Sequence, residues 1–177
     1  MAFNTETFTP AVNLQVRANA DVEVVDGTLV IRPEYALGST VARYGGCLVT
    51  KDAGTQRGIS AAAENSTGVI FGMTHASIQD LSGADYRENP NSYTKHLGSN
   101  PGVIQGTGNV WIRRYTGTVL PNDLLVVGPS GYPKKTTGTG TIVGLAVTSG
   151  IGNVGSPTTS VMATISLPAF SSGLVGG

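Results

Sequence analysis

Few side chains in this sequence have both the type and the spacing that catalysis or metal binding requires. The two histidines, His75 and His96, lie far apart along the chain, whereas metal sites usually show close histidine or cysteine pairs. The single cysteine, Cys47, lies in the apolar run YGGCLV and is expected to be buried, because a reactive thiol needs a base or a helix terminus beside it. We therefore expect no catalytic residue, no metal site and no cofactor, and a protein that is not an enzyme.

Two glycine-rich segments, Gly106–Gly108 and Gly138–Gly140, resemble fragments of phosphate-binding loops. A Walker loop ends in Gly-Lys followed by Ser or Thr, which is absent here. A dinucleotide-binding loop is followed by a helix, and the sequence predicts none at either place. These segments are therefore expected to be turns of a β-protein and not ligand sites.

Basic residues are too few for a nucleic-acid surface. The formal net charge is zero, and the adjacent basic pairs are Arg113-Arg114 and Lys134-Lys135, without a wider excess of positive charge. Neighbouring residues of a strand point to opposite faces. At most one arginine of the first pair can therefore face the core, where it would need a partner.

The composition predicts an all-β protein that works as part of a larger assembly. It has 177 residues, of which 25 are glycine and only 12% are charged, about half of the roughly 25% typical of globular domains. A neutral, charge-poor surface favours association. Met1 to Pro10 lacks a signal-peptide pattern, and no apolar run is long enough for a membrane span. We expect synthesis in a cytoplasm and no membrane partner.

Short β-branched runs separated by turn residues predict a single all-β domain, either a β-sandwich or a jelly-roll-like β-barrel. The predicted organisation is an extended N-terminal arm (1–20), a β-domain (21–170) with a long loop insertion (78–108), and a flexible C-terminal tail (171–177). Asp26-Gly27 between alternating apolar residues predicts a hairpin.

An internal repeat connects two parts of the chain. Cys47–Thr50, a glycine turn and a strand containing Gly72 parallel Leu124–Val127, a second glycine turn and a strand containing Gly144. A glycine inside a strand marks a bulge or a close backbone approach. The parallel predicts two similar β-units that face one core.

Partner contacts are expected outside these units. Phe3 and Phe8 stand in the polar arm, where they would dock on a neighbouring subunit; a frayed terminus is an equally good interpretation. Tyr86, Tyr93 and His96 lie in the long loop, and a loop of this length is usually functional or disordered.

The stretch Asn109–Ser149 carries a resemblance to a known family. Val110-Trp111-Ile112, the turn Leu120-Pro121-Asn122-Asp123, the strand Leu124–Val127, and a Gly corner leading to Thr-Ile-Val-Gly-Leu-Ala resemble bacteriophage capsid cement (decoration) proteins. The resemblance implies a small β-rich protein, often trimeric, that binds the outside of a capsid and bridges neighbouring major capsid subunits. It implies localisation on the virion and transfers no contact residues. The alternative hypotheses are a tail or fibre component that binds a host glycan, and a small hydrolase.

Overall fold

The structure is a computed structural model that describes residues 21–37, 44–75 and 102–170. The prediction of an all-β fold is confirmed: one antiparallel sheet curls into a half-barrel, an open form of the expected barrel. A two-stranded ribbon, β8–β12, lies outside the main sheet. The strands are β1 Val22–Gly27, β2 Val30–Arg32, β3 Ala36–Leu37, β4 Leu48–Lys51, β5 Gly58–Ala61, β6 Gly72–Thr74, β7 Val103–Ile112, β8 Gly117–Val119, β9 Leu124–Val127, β10 Pro133–Lys135, β11 Gly144–Ala146, β12 Gly150–Gly152 and β13 Val161–Leu167, with a 3₁₀ turn at Pro129–Gly131.

The sheet contains two three-stranded units, and their strands occur in mirror-image order on either side of two long central strands. Unit 1 comprises β4, β5 and β6, and unit 2 comprises β9, β10 and β11. In each unit the first strand lies between the other two, and the third strand pairs with a long strand, β7 or β13. The two long strands pair with each other, which gives the order β10-β9-β11-β13-β7-β6-β4-β5-β3. The predicted repeat of two β-units around one core is confirmed.

One face of the sheet, which we call the inner face, carries the main hydrophobic core. Side chains alternate along a strand, so Leu48 of unit 1 and Leu125 of unit 2 point inward into this core. Their neighbours Val49 and Val126 point to the outer face. Along β13 the alternation is regular: Val161, Ala163, Ile165 and Leu167 are buried, and the residues between them are partly or fully exposed.

The two strand glycines are not equivalent, which corrects one detail of the repeat. Gly72 pairs with Val49 on the outer face, whereas Gly144 pairs with Leu125 on the inner face. A shift of one residue moves a side chain to the other face of a sheet. The third strands of the two units therefore differ in register by one residue.

Strand β7 begins at Val103, so residues 103–108 are strand and the expected loop 78–108 is too long at its C-terminal end. The sequence predicts that its Gly-Thr-Gly segment forms a turn. In the structure, the glycines of this segment allow two strands to approach each other closely. A Cβ atom on Gly108 would lie 2.1 Å from the Asp26 carbonyl oxygen. The same geometry shows that this segment lies within a strand and does not form a phosphate loop.

The hairpin predicted at Asp26-Gly27 is wrong. β1 and β2 do not pair with each other, and both pair antiparallel with β7. The register is continuous from Asp26 to Arg32, and the Thr28 amide donates to the Thr107 carbonyl at 2.8 Å. Because ten residues of β7 offer one long edge, the chain continues along it and needs only a bulge at Val25.

The turn before unit 2 is confirmed. The Asp123 amide donates to the Leu120 carbonyl at 3.1 Å, and the Leu120 amide donates to the Asp123 carboxylate at 2.8 Å. Asn122 adopts a φ of 70°, a conformation that asparagine tolerates well. Within unit 2, the strand that contains Gly144 spans only Gly144–Ala146. No helix in the described residues is long and apolar enough to cross a bilayer.

Candidate functional site

The five predicted contact residues, Phe3, Phe8, Tyr86, Tyr93 and His96, lie outside the described residues. So do the arm (1–20), the tail (171–177) and most of the long loop. Among the described residues there is no group of three or more histidine, cysteine, aspartate or glutamate side chains placed to hold a metal ion. The described sites are one buried ion pair and several exposed apolar surfaces.

Arg114 is the arginine that faces the interior, and it has the partner that the sequence requires. Its Nε lies 2.8 Å from Asp21 Oδ1, and both side chains are largely buried. The other carboxylate oxygen of Asp21 accepts a hydrogen bond from the Gly45 amide at 3.0 Å. The guanidinium stacks over the Tyr44 ring at 3.7 Å and donates to the Val154 carbonyl. With both charges satisfied within the fold, this pair joins distant segments and is not a catalytic group.

Cys47 is fully buried, as the sequence predicts. Burial raises the pKa of its thiol to about 12, so the thiolate that a nucleophile requires does not form near neutral pH. Burial also raises the pKa of the neighbouring Tyr132 phenol, whose hydroxyl lies 3.2 Å from the Tyr44 carbonyl. Both groups stay neutral and act through packing.

The outer face of unit 1 is covered by aromatic side chains of the same chain. Tyr132, which comes from unit 2, is 2% exposed and packs on this face. Tyr35 and Phe71 meet edge to face with ring centroids 4.8 Å apart. Together they bury a second hydrophobic cluster, formed by Cys47, Val49, Ile59, Val103 and Tyr132. Unit 1 is therefore buried on both faces.

The outer face of unit 2 is covered at Val126, which is 0% exposed, and is open beside it. Leu124 and Leu145 are paired across β9 and β11, and both are exposed together with Ile142. They border a groove with a volume of about 290 Å³. None of its lining residues is charged: Thr107, Leu124, Ile142, Val143, Gly144, Leu145, Thr164, Ile165 and Ser166. We call this surface the unit 2 groove.

A ladder of polar side chains continues from the groove across β13 and β7. The hydroxyls of Thr107 and Ser166 lie 3.0 Å apart. The Thr164 hydroxyl donates to Asn109 Oδ1 at 2.7 Å, and Asn109 Nδ2 donates to Asp26 at 3.1 Å. These groups satisfy one another, so they are poorly available to a sugar. Trp111, on the same face, is half-buried, and the described residues give no specific support to a glycan platform.

The edge formed by β1 and β2 is a second exposed apolar surface. Val24, Val25, Val30 and Ile31 are each between 36% and 47% exposed. Among the described residues, these strands pair only with β7. Exposed apolar edge strands are uncommon in free proteins, because they pair with other chains.

A third apolar surface projects where the chain leaves β13. Ala169 is buried and pairs with Ile70. The residues beside this pair, Val69 and Phe170, are 48% and 66% exposed. We call Val69 and Phe170 the Phe170 knob. Sequence reasoning missed both the groove and the knob, because Ile142 and Leu145 lie in an apolar run typical of a buried strand and Phe170 immediately precedes the tail.

No family model matches this chain, and no curated protein matches it. Among solved structures, it is similar to the N base of head fiber gp8.5 in bacteriophage phi29, with a TM-score of 0.47 and 18% sequence identity. The similarity covers 81% of this chain and 98% of that chain.

Proposed function

We propose that this protein is a structural component of a bacteriophage virion that binds the outer surface of the capsid and bridges neighbouring major capsid subunits. The first support is the resemblance of Asn109–Ser149 to capsid cement proteins. That stretch provides part of β7, the whole of unit 2 and the turn before it. The residues that carry the resemblance therefore form a coherent part of the scaffold.

The observation that carries the proposal is the exposed apolar edge of β1 and β2. Eleven residues of this segment, 22–32, run along β7 with four aliphatic side chains in solvent. An exposed sheet edge accepts an extended segment from a partner through main-chain hydrogen bonds, while alternate side chains supply specificity. A coat protein of an assembled shell is a partner of this kind. The edge directly follows residues 1–20, in which Phe3 and Phe8 are expected to add contacts.

The mechanism is stabilisation by mass action. A protein that binds the assembled shell and not its dissociated subunits shifts the equilibrium toward the shell by an amount that grows with its free concentration. Apolar contacts suit this task, because burying the side chains of one copy against two coat subunits joins those subunits. The mechanism requires no bound cofactor and no reaction.

Co-sedimentation of the full-length protein with expanded capsids tests the proposal. Val30→Asp is expected to weaken binding, because it puts a charge on the proposed contact edge. Ile151→Asp is the matched control, since Ile151 is an exposed aliphatic residue of the separate β8–β12 ribbon. Failure of the wild-type protein to bind capsids, together with binding to host cells, would instead favour a tail or fibre role.

A second experiment concerns the arm. Removing residues 1–10 is expected to weaken capsid binding while leaving the thermal unfolding transition of the β-domain nearly unchanged. An unaltered capsid affinity would contradict a contact role for Phe3 and Phe8 and leave the β1–β2 edge as the binding surface.

A further inference from the structure

The two units differ in what covers their outer faces. On unit 1, the ring of Tyr132 arrives from unit 2 and is fully buried. On unit 2, Leu124, Ile142 and Leu145 remain exposed around a groove with hydroxyl groups at one side and no charge in its lining. On unit 1, the outer face is covered by an aromatic ring from another part of the fold. A ring of the same kind is therefore a suitable cover for the exposed residues of unit 2.

The chain exposes one ring of this kind among its described residues. Phe170 is 66% exposed, and Val69 beside it is also exposed. A phenylalanine and a valine that project together into solvent form a compact apolar protrusion. Aromatic residues, phenylalanine among them, are enriched in protein interfaces, and the residues that contribute most to binding lie in well-packed pockets.

Phe170 does not fill the groove of its own chain. The residue before it is held by two backbone hydrogen bonds: Ile70 N donates to Ala169 O at 2.9 Å, and Ala169 N donates to Ile70 O at 2.8 Å. Phe170 follows this fixed residue directly, and two-thirds of its surface is in solvent. The ring is therefore presented outward, where another molecule can reach it.

We propose that the Phe170 knob of one copy inserts into the unit 2 groove of a second copy. The sizes are compatible, because an apolar cavity of roughly 150 Å³ holds a benzene ring and the groove has a volume of about 290 Å³. Charge does not oppose the contact, since the formal net charge is zero and neither the knob nor the groove contains an ionisable side chain.

The knob and the groove are different surfaces, and each copy offers one of each. Two copies can engage reciprocally in a two-fold dimer, in which residue i contacts residue j and j contacts i. Copies that engage head to tail instead build closed rings or open chains. A protein with both surfaces intact therefore forms a dimer, a closed ring such as a trimer, or an open chain.

Sedimentation velocity of the full-length protein over a concentration series tests this proposal without capsids. The wild-type protein and the control Ile151→Asp are expected to assemble. Phe170→Asp and Leu145→Asp are each expected to raise the dissociation constant at least about tenfold, as for a central interface residue, and to sediment as monomers. A wild-type protein that is monomeric throughout, or variants that assemble like it, would overturn the proposal.

Mixing the two variants gives the sharpest result. Phe170→Asp keeps an intact groove and Leu145→Asp keeps an intact knob, so an equimolar mixture is expected to form heterodimers and nothing larger. A mixture that stays monomeric while the wild type assembles would overturn the insertion of the knob into the groove. Circular dichroism and thermal unfolding check the fold, and the milder pair Phe170→Ala and Ile142→Ser replaces any variant that unfolds. The proposal does not rest on capsid binding, so either can fail without the other.

Discussion

Units 1 and 2 share one order of strand pairing, but their outer faces are covered to different extents. Unit 1 is closed by aromatic rings of the same chain, with Tyr132 almost completely buried. Unit 2 leaves Leu124, Ile142 and Leu145 in solvent. We therefore expect the covered unit to stabilise the fold and the open unit to make the proposed contact. The comparison predicts that substitutions on unit 1 affect stability and that those on unit 2 affect assembly.

The largest expected effect comes from the ion pair that holds Tyr44 at the covered face. In Asp21→Ala the Arg114 guanidinium stays buried without its carboxylate, and breaking a buried pair in this way costs about 3–5 kcal/mol. Denaturant unfolding followed by circular dichroism measures the loss in free energy of unfolding. A loss within the error of the extrapolation would show that Arg114 finds another partner.

A matched pair of truncations compares the two outer faces directly. Tyr132→Ala is expected to cost about 3–4 kcal/mol, within the range for a buried aromatic residue. Leu145→Ala is expected to cost about 1 kcal/mol or less, because the side chain is already partly in solvent. Both are measured by the same unfolding experiment on the dilute protein. Equal losses would remove the distinction between a closed and an open unit.

The ionisation of the Cys47 thiol with pH tests the burial of the outer face of unit 1 and not that of unit 2. Its folded pKa, about 12, lies above the ordinary value of 9.0, so folding favours the neutral thiol. The resulting stability is fully present below pH 9 and is lost as the pH rises toward 12. Between pH 8 and pH 10 the free energy of unfolding of the wild type should fall by about 1 kcal/mol more than that of Cys47→Ala. Identical pH profiles would show that the thiol is accessible to water.

The smallest effect concerns the turn that opens unit 2. The hydrogen bond from Lys135, then the one from the Leu120 amide, lowers the pKa of the Asp123 carboxyl. Its contribution to stability is present above the ordinary pKa and is lost as the pH falls through the folded pKa. Lys135→Met is expected to move the Asp123 pKa back toward its ordinary value, as followed by NMR titration. An unchanged titration would show that the backbone alone sets it.

Local patterns predicted much of the scaffold and little of its surfaces. Repeat spacing predicted the two units, and strand alternation predicted that one arginine needs a partner, because both depend on neighbouring residues. Asp26-Gly27 misled, since its turn chemistry was overridden by the long edge of β7. The cover on unit 1 was not predictable, because Tyr132 reaches Tyr44 across 88 residues of sequence. The open groove follows from the absence of such a long-range contact among the described residues.

Disulfide cross-linking between two variants that each carry one added cysteine tests most directly whether unit 2 is left open for another copy. Val69→Cys places a thiol beside Phe170 and Thr164→Cys places one in the groove, while the buried Cys47 contributes little background. The account predicts that a mixture forms mainly mixed disulfide dimers under mild oxidation, and that adding Phe170→Asp to the Val69→Cys chain abolishes them. Random pairing of the two variants, or cross-linking that is indifferent to Phe170, would contradict it.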